Sequence, residues 1–204
     1  MSTKKTAPVV SNSVIKYTKS IRAYSREILS AVLPELAKGD LNDSMASRGG
    51  YDYLMETKWI PGWTCSLSVK AEKRFTGNFF VEDWHDKKTS KQGWLHTMQS
   101  SVLIYHFLEK DIAYFIPVEK LRKFVIGNME SFQAKTQNKY LQANLTTGFL
   151  VPVDQVVENC KAIAVPELSL GKFPRSIARP FREAYRMENQ NSFYIDAGQT
   201  ATER

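Results

Sequence analysis

The hydrophobic positions near the start of the chain recur at helical spacing. They form one apolar stripe between Ser13 and Leu33, and Pro34 follows, so the pattern predicts an amphipathic helix that Ser13 caps. Three cations lie on the opposite side, where a solvated face and a phosphate-binding face are both open interpretations. These cations are Lys19, Arg22 and Arg26.

Short apolar and β-branched runs follow, and they predict a series of strands with intervening helices. The first three strands are predicted at about 50–56, 63–71 and 78–84, and two more in SVLIYHFLE and AYFIPV. Helices are predicted in VEKLRKFVIGN and DQVVENCKAI, with a strand in GFLVPV between them and a last helix opened by Pro180. Polar stretches favour loops at HDKKTSKQG and a loop or weak helix at MESFQAKTQNKYLQANLTT.

This order of elements predicts an α/β or α+β fold with one central mixed β-sheet flanked by helices. We expect a flexible arm over residues 1–12, a core domain over 13–128, and an extension with a strand–helix unit and a basic tail over 129–204. No apolar run approaches the roughly 18 residues of a membrane span, and the N-terminal stretch lacks an apolar signal segment. Two distant cysteines, Cys65 and Cys160, fit a reducing compartment, so we expect a cytoplasmic protein without a membrane partner.

The net charge of +7 favours a polyanionic partner, with nucleic acid first. We expect phosphate contacts from two basic segments, one between the second and third strands and one in the polar loop after the third. Such contacts position a nucleic-acid backbone and carry no sequence information. The predicted DNA-binding residues are Lys73, Arg74, Lys87, Lys88 and Lys91.

Two acids and a lysine on the first three strands suggest a metal-dependent phosphodiesterase site. Strand alternation places Ser68 and Lys70 on one face, and we expect both to meet Asp52 and Glu82 at one sheet edge. Asp52 and Glu82 are candidate Mg²⁺ ligands, and the Lys70 ammonium would assist the attacking water or the phosphate. The competing interpretation makes Asp52 a turn residue and lets the Lys70 stem cover the sheet.

Five short segments resemble, in their order along the chain, the PD-(D/E)XK nuclease superfamily, and within it nuclease-like proteins of bacteriophages. The resemblance covers roughly residues 13 to 126. The segments are YDY at 51–53, SVK at 68–70, TGNFFVED at 76–83, KQGW at 91–94 and SSVLIYHF at 100–107.

The resemblance implies a restriction-endonuclease-like fold and a DNA endonuclease that uses Mg²⁺, with Mn²⁺ as a substitute, in a bacterial host cell. Asp52 corresponds to the metal-binding acid, Lys70 to the catalytic lysine, and Glu82 to a glutamate that some members carry on the next strand. Ser68 departs from the family, which has Asp, Glu or sometimes Gln at that position. Glu27, on the first helix, offers one further acid.

Two other functions stay open at this point. The first is a DNA-binding protein on the same fold that has lost catalysis, which Ser68 favours. The second is a basic interaction or inhibitor protein that docks an acidic protein, and a homodimer is open in every case. The three histidines, His85, His96 and His106, match no zinc-ligand spacing, so we expect loop or core roles for them.

Overall fold

The computed structural model of the chain describes residues 21–39, 50–138 and 145–199, with side chains through residue 190. The predicted helix residues 13–20 lie outside this part. The helices are α1 (Ile21–Val32), α2 (Trp94–Thr97), α3 (Val118–Gly127), α4 (Val153–Cys160) and α5 (Ala178–Gln199). The strands are β1 (Tyr53–Glu56), β2 (Thr64–Glu72), β3 (Asn78–Asp86), β4 (Lys91–Gln92), β5 (Val102–Phe107), β6 (Ile112–Pro117), β7 (Gln133–Asn138), β8 (Leu145–Pro152) and β9 (Ile163–Pro166).

A mixed five-stranded sheet forms the centre of the fold, with strand order β1-β2-β5-β6-β9. Strands β2 and β5 are parallel, with Lys70 opposite Tyr105, and the other neighbours are antiparallel. A parallel pair needs a long crossover connection, which the segment holding β3, β4 and α2 provides here. The predicted fold class, a central mixed sheet flanked by helices, is confirmed.

A second sheet, of order β4-β3-β8-β7, was not expected from the sequence. The prediction placed β3 in the central sheet, but β3 pairs antiparallel with β8, from Asn78 opposite Pro152 to Glu82 opposite Gly148. The reason is that β2 already has β1 on one side and β5 on the other, so it has no free edge for β3. Glu82 therefore belongs to a different sheet from Lys70.

The central sheet separates two hydrophobic cores. On one face, Ile104 of β5 and Phe115 of β6 pack with Leu29 of α1 and Phe181 of α5. On the other face, the next β5 residue, Tyr105, packs with the second sheet and with α3 and α4. Because neighbouring residues of a strand point to opposite faces, burial of both faces explains why β5 is apolar along its whole length.

Several local predictions need correction. Strand β7 occupies part of the stretch predicted as a loop or weak helix, and β9 begins at Ile163, the last residue assigned to the helix DQVVENCKAI. The polar segment HDKKTSKQG contains the end of β3 and all of β4. Helix α5 begins two residues before Pro180, which it tolerates because the first-turn N–H groups have no intrahelical partner.

Two further observations concern the cysteines and the helices of the described part of the chain. Cys65 and Cys160 are both free thiols and both buried. No described helix combines the length and the hydropathy needed to cross a membrane.

Candidate nucleic-acid interface

Asp52 lies one residue before β1, and its side chain is only 4% exposed. Its main-chain N–H donates to the carbonyl of Leu67 at 2.7 Å, which continues the pairing of β1 with β2 by one step. Its Oδ2 atom accepts the main-chain N–H of Val69 at 2.7 Å. Because β1 pairs with β2 only up to Leu67, the Asp52 side chain satisfies a buried N–H of β2 that lies beyond the end of β1.

Two arginines of α1 complete the surroundings of the Asp52 carboxylate. Arg22 Nη2 lies 2.7 Å from Oδ1 and 2.9 Å from Oδ2, and Arg26 Nε lies 3.7 Å from Oδ1. Tyr53 positions Arg26, since its hydroxyl donates to the Arg26 carbonyl at 2.8 Å and its ring centroid lies 5.5 Å from the guanidinium carbon. Arg22 and Arg26, the two cations of the predicted basic face that α1 contains, therefore face a buried carboxylate, while Lys19 lies outside the described residues.

These surroundings do not fit a metal ligand. Both oxygens of Asp52 already accept N–H donors from Arg22, and Oδ2 also accepts from Val69, whereas Mg²⁺ needs free oxygen lone pairs. Within the three described ranges, no three His, Cys, Asp or Glu side chains are arranged to hold a metal ion. Mg²⁺ binding by Asp52 and Glu82 stays a prediction, and it would require Arg22 to release the carboxylate.

Lys70 and Glu82, from different sheets, line one open cavity of about 480 Å³, which we call the Lys70 groove. Asp52 is not among the residues of its wall. The Lys70 ammonium lies 5.6 Å from the ring centroid of Trp94, within the range of a cation–π interaction. Ser68, on the same strand face as Lys70, is buried. The charged residues of the groove wall are Lys70, Glu72, Lys73, Arg74 and Glu82.

Tyr105 joins the two sheets at the wall of the Lys70 groove. Its hydroxyl accepts the main-chain N–H of Phe80 in β3 at 3.2 Å and donates to the carboxylate of Glu72 in β2. Burial raises the pKa of Glu72 above its usual value, although the Tyr105 hydrogen bond acts in the opposite direction. The pKa of Tyr105 is raised well above its usual value, first by burial and then by the charge of Glu72.

Two glycines allow neighbouring backbone segments to lie very close to β3 at Val81 and Glu82. A Cβ atom on Gly93 would lie 2.3 Å from the Glu82 carbonyl oxygen, and one on Gly148 would lie 2.2 Å from the Val81 carbonyl oxygen. Strand β3 therefore has close backbone neighbours at this point that only glycine allows. The register with β8 shifts directly afterwards, between Glu82 and Trp84, which indicates a β-bulge.

The five predicted DNA-binding cations are all exposed, and they form two groups. Lys73 and Arg74 lie in the link before β3, while the other three lie in the hairpin after it. In that hairpin, Asp86 accepts the N–H of Lys88 at 3.2 Å, which shapes the turn. The length of β3 separates the two groups by about 25 Å. The hairpin cations are Lys87, Lys88 and Lys91.

The three histidines do not converge in the structure. His85 Nδ1 lies 3.3 Å from Glu82, and His96 Nε2 lies 2.7 Å from Asp83. His106 is fully buried, where its Nδ1 lies 3.0 Å from the Ser25 hydroxyl and its Nε2 lies 3.3 Å from a carboxylate oxygen of Asp111. Each histidine thus has its own acidic partner. His106 has the core role expected for it, whereas His85 lies in β3 and His96 in α2, so the expected loop role is wrong for these two.

The sequence analysis missed Glu72 and Tyr105 as parts of the groove. Strand alternation places Glu72 on the same face as Lys70, so this residue was within reach of the sequence pattern. Tyr105 and the pairing of Asp52 with Arg22 depend on contacts between elements far apart in the chain, for which a single sequence contains no signal.

No protein-family model, curated protein or solved structure matches this chain. The resemblance to the PD-(D/E)XK nucleases therefore stays a prediction from short motifs.

Proposed function

We propose that the protein binds DNA through its phosphate backbone, with the Lys70 groove as the central contact and catalysis reduced or lost. The observation that carries the proposal is that the cations line an open groove, whereas the expected metal-binding acid is buried elsewhere. Lys70, Lys73 and Arg74 line one open groove, while the acid expected to hold a metal, Asp52, is buried and neutralised by Arg22. The three cations outnumber the two carboxylates of the groove wall, Glu72 and Glu82, and this excess of positive charge favours a phosphate ligand.

The spacing of the cations supports a duplex as the ligand. One exposed group, Lys73 and Arg74, lines the Lys70 groove, and the hairpin group lies about 25 Å away along β3. Phosphates follow each strand of B-DNA at about 3.4 Å along the axis, so one duplex of about seven base pairs spans both groups. The proposed contacts are to phosphates, which carry no sequence information, so we expect weak sequence preference.

Metal-dependent hydrolysis of DNA is the second candidate function. It is favoured by one observation, namely that Lys70, Glu72 and Glu82 line the same groove. Two carboxylates and an ammonium are the groups that such a reaction needs, with the metal supplying the nucleophilic hydroxide. The cation pair on Asp52 and the serine at position 68 argue against it as the main activity.

The test is a binding and cleavage assay on linear duplex, plasmid and branched DNA. We expect binding that weakens steeply with salt, and a Lys73→Gln/Arg74→Gln double variant that reduces the slope of log affinity against log salt by about 2. Cleavage with Mg²⁺ or Mn²⁺ that Lys70→Ala abolishes would establish the second candidate instead. No DNA affinity at low salt would refute both and favour a basic protein that docks an acidic partner.

A further inference from the structure

Four arginines at the start of α5 form a second exposed basic surface, which we call the arginine ridge. They are spaced by four, three and four residues, so they share one side of the helical path. All four are exposed, whereas Phe181 and Ala184 on the opposite side are buried in the core. The ridge consists of Arg175, in the 3₁₀ turn before α5, and of Arg179, Arg182 and Arg186.

Most of the positive charge of the arginine ridge is not paired with a carboxylate of the described residues, so it is open to a ligand. The nearest acid, Glu183, is held by Lys120 at 2.9 Å and by Arg186 at 3.3 Å. Among the described residues, no carboxylate pairs with Arg175, Arg179 or Arg182, and an open cavity of about 300 Å³ lies along these arginines. Three guanidinium groups without a carboxylate partner, one in the 3₁₀ turn and two on α5, are suited to phosphate, which they bind with planar N–H donors.

The ridge and the Lys70 groove lie on opposite faces of the central sheet. Lys70 pairs with Tyr105, whose side chain enters the core shared with the second sheet. Phe115 of β6 enters the other core, where its ring centroid lies 6.1 Å from that of Phe181 in α5. The helix that carries the ridge and the side chain of Lys70 therefore lie on opposite sides of the central sheet, and we expect each basic surface to contact its own DNA segment.

We propose that the arginine ridge is a second DNA-backbone site, so that one protein molecule holds two DNA segments. This inference rests on the proposed function, because it assigns the same ligand chemistry to both surfaces. The helical rise sets Arg179 and Arg186 about 10 Å apart, which corresponds to about three phosphates of one strand. Regular spacing on a rigid helix matches a repeating backbone better than an irregular acidic protein surface.

The test compares a ridge variant, Arg175→Gln/Arg179→Gln/Arg182→Gln, with the groove variant Lys73→Gln/Arg74→Gln. A charge-conserving control, Arg175→Lys/Arg179→Lys/Arg182→Lys, retains the cations. One assay measures affinity for a short duplex against salt, and the other measures capture of a labelled duplex by a bead-bound duplex. We expect the parent and the lysine control to bridge the two duplexes, and each glutamine variant to bind one duplex without bridging.

The ridge variant should also reduce the salt slope, by about 2 to 3 for saturating binding of both segments. If the ridge variant bridges and binds as the parent does, the ridge is not a DNA site, whatever the groove variant shows. If the groove variant behaves as the parent while the ridge variant loses binding, the ridge assignment stands and the proposed role of the Lys70 groove fails.

Discussion

The guanidinium of Arg22 contacts both carboxylate oxygens of Asp52, at 2.7 and 2.9 Å. This contact joins α1 to the edge of the central sheet, at the point where Asp52 also satisfies the N–H of Val69. Asp52, which the motif pattern assigns to a metal, thus has a structural role that needs no metal.

Replacement of Asp52 should therefore lower stability. We expect Asp52→Ala to reduce the free energy of unfolding by about 1–3 kcal/mol, because the buried N–H of Val69 loses its acceptor. Arg22 is 55% exposed, so its side chain can return to water and adds little to this cost. Asp52→Asn retains an acceptor and should lose less. Urea denaturation measures the difference, and an Asp52→Ala protein as stable as the parent would contradict the structural role.

The glycines beside Glu82 provide a second test. Gly93→Ala and Gly148→Ala should each cost about 1–3 kcal/mol, because the added methyl group meets backbone carbonyl oxygens that cannot move aside. Gly127→Ala is the matched control, since nothing lies within 4 Å of its Cβ position at the end of α3. That substitution should be neutral or slightly stabilising. Equal effects of all three substitutions on thermal unfolding would disprove the close packing.

The pH dependence of stability tests the burial of Glu72. Its pKa in the folded protein lies above the usual value of 4.5, mainly because of burial, so the folded state holds this proton more tightly than the unfolded state. Stability from this group is therefore greatest at low pH, and it falls as pH rises from 4.5 through the raised pKa.

Glu72→Gln removes this titration and still accepts the Tyr105 hydrogen bond. The stability of the variant relative to the parent should increase as the pH rises from about 4.5 through the raised pKa of Glu72. Urea unfolding across this range measures the difference. A constant difference would show that Glu72 is not perturbed by burial.

Both cysteines should be unreactive in the folded protein. Burial raises the pKa of Cys160 to about 12 and that of Cys65 well above its usual value, so neither forms the reactive thiolate at neutral pH. We expect a disulfide reagent to titrate neither thiol in native buffer and both thiols in urea. Rapid reaction of the native protein would show that one of these core regions is open.

The sequence predicts the single elements of this fold better than their assembly. The runs that form β2, β5 and β6 are apolar enough to identify, and the periodicity of α3 and α4 also marks them clearly. Strand β7 was not predicted, because QAKTQN is polar and gains its strand conformation from pairing with β8. The division into two sheets depends on which strand edge is free, and that is a property of the assembled fold.

The sequence likewise predicts only part of the candidate site. Alternation along β2 correctly places Ser68 and Lys70 on one face, opposite Val69, and the basic segments of the sequence identify five cations that are exposed. The partner of Asp52 was not predictable, because Arg22 is 30 residues away and its sequence position was compatible with a solvated or a phosphate-binding face.

The most direct test of the account is DNA affinity measured against salt in the presence of EDTA, for the parent and for Lys73→Gln/Arg74→Gln. We predict that the parent binds without a divalent metal, that its affinity falls steeply with salt, and that the variant has a slope shallower by about 2. Binding that requires Mg²⁺, or an identical slope for both proteins, would contradict the assignment of the Lys70 groove to phosphate.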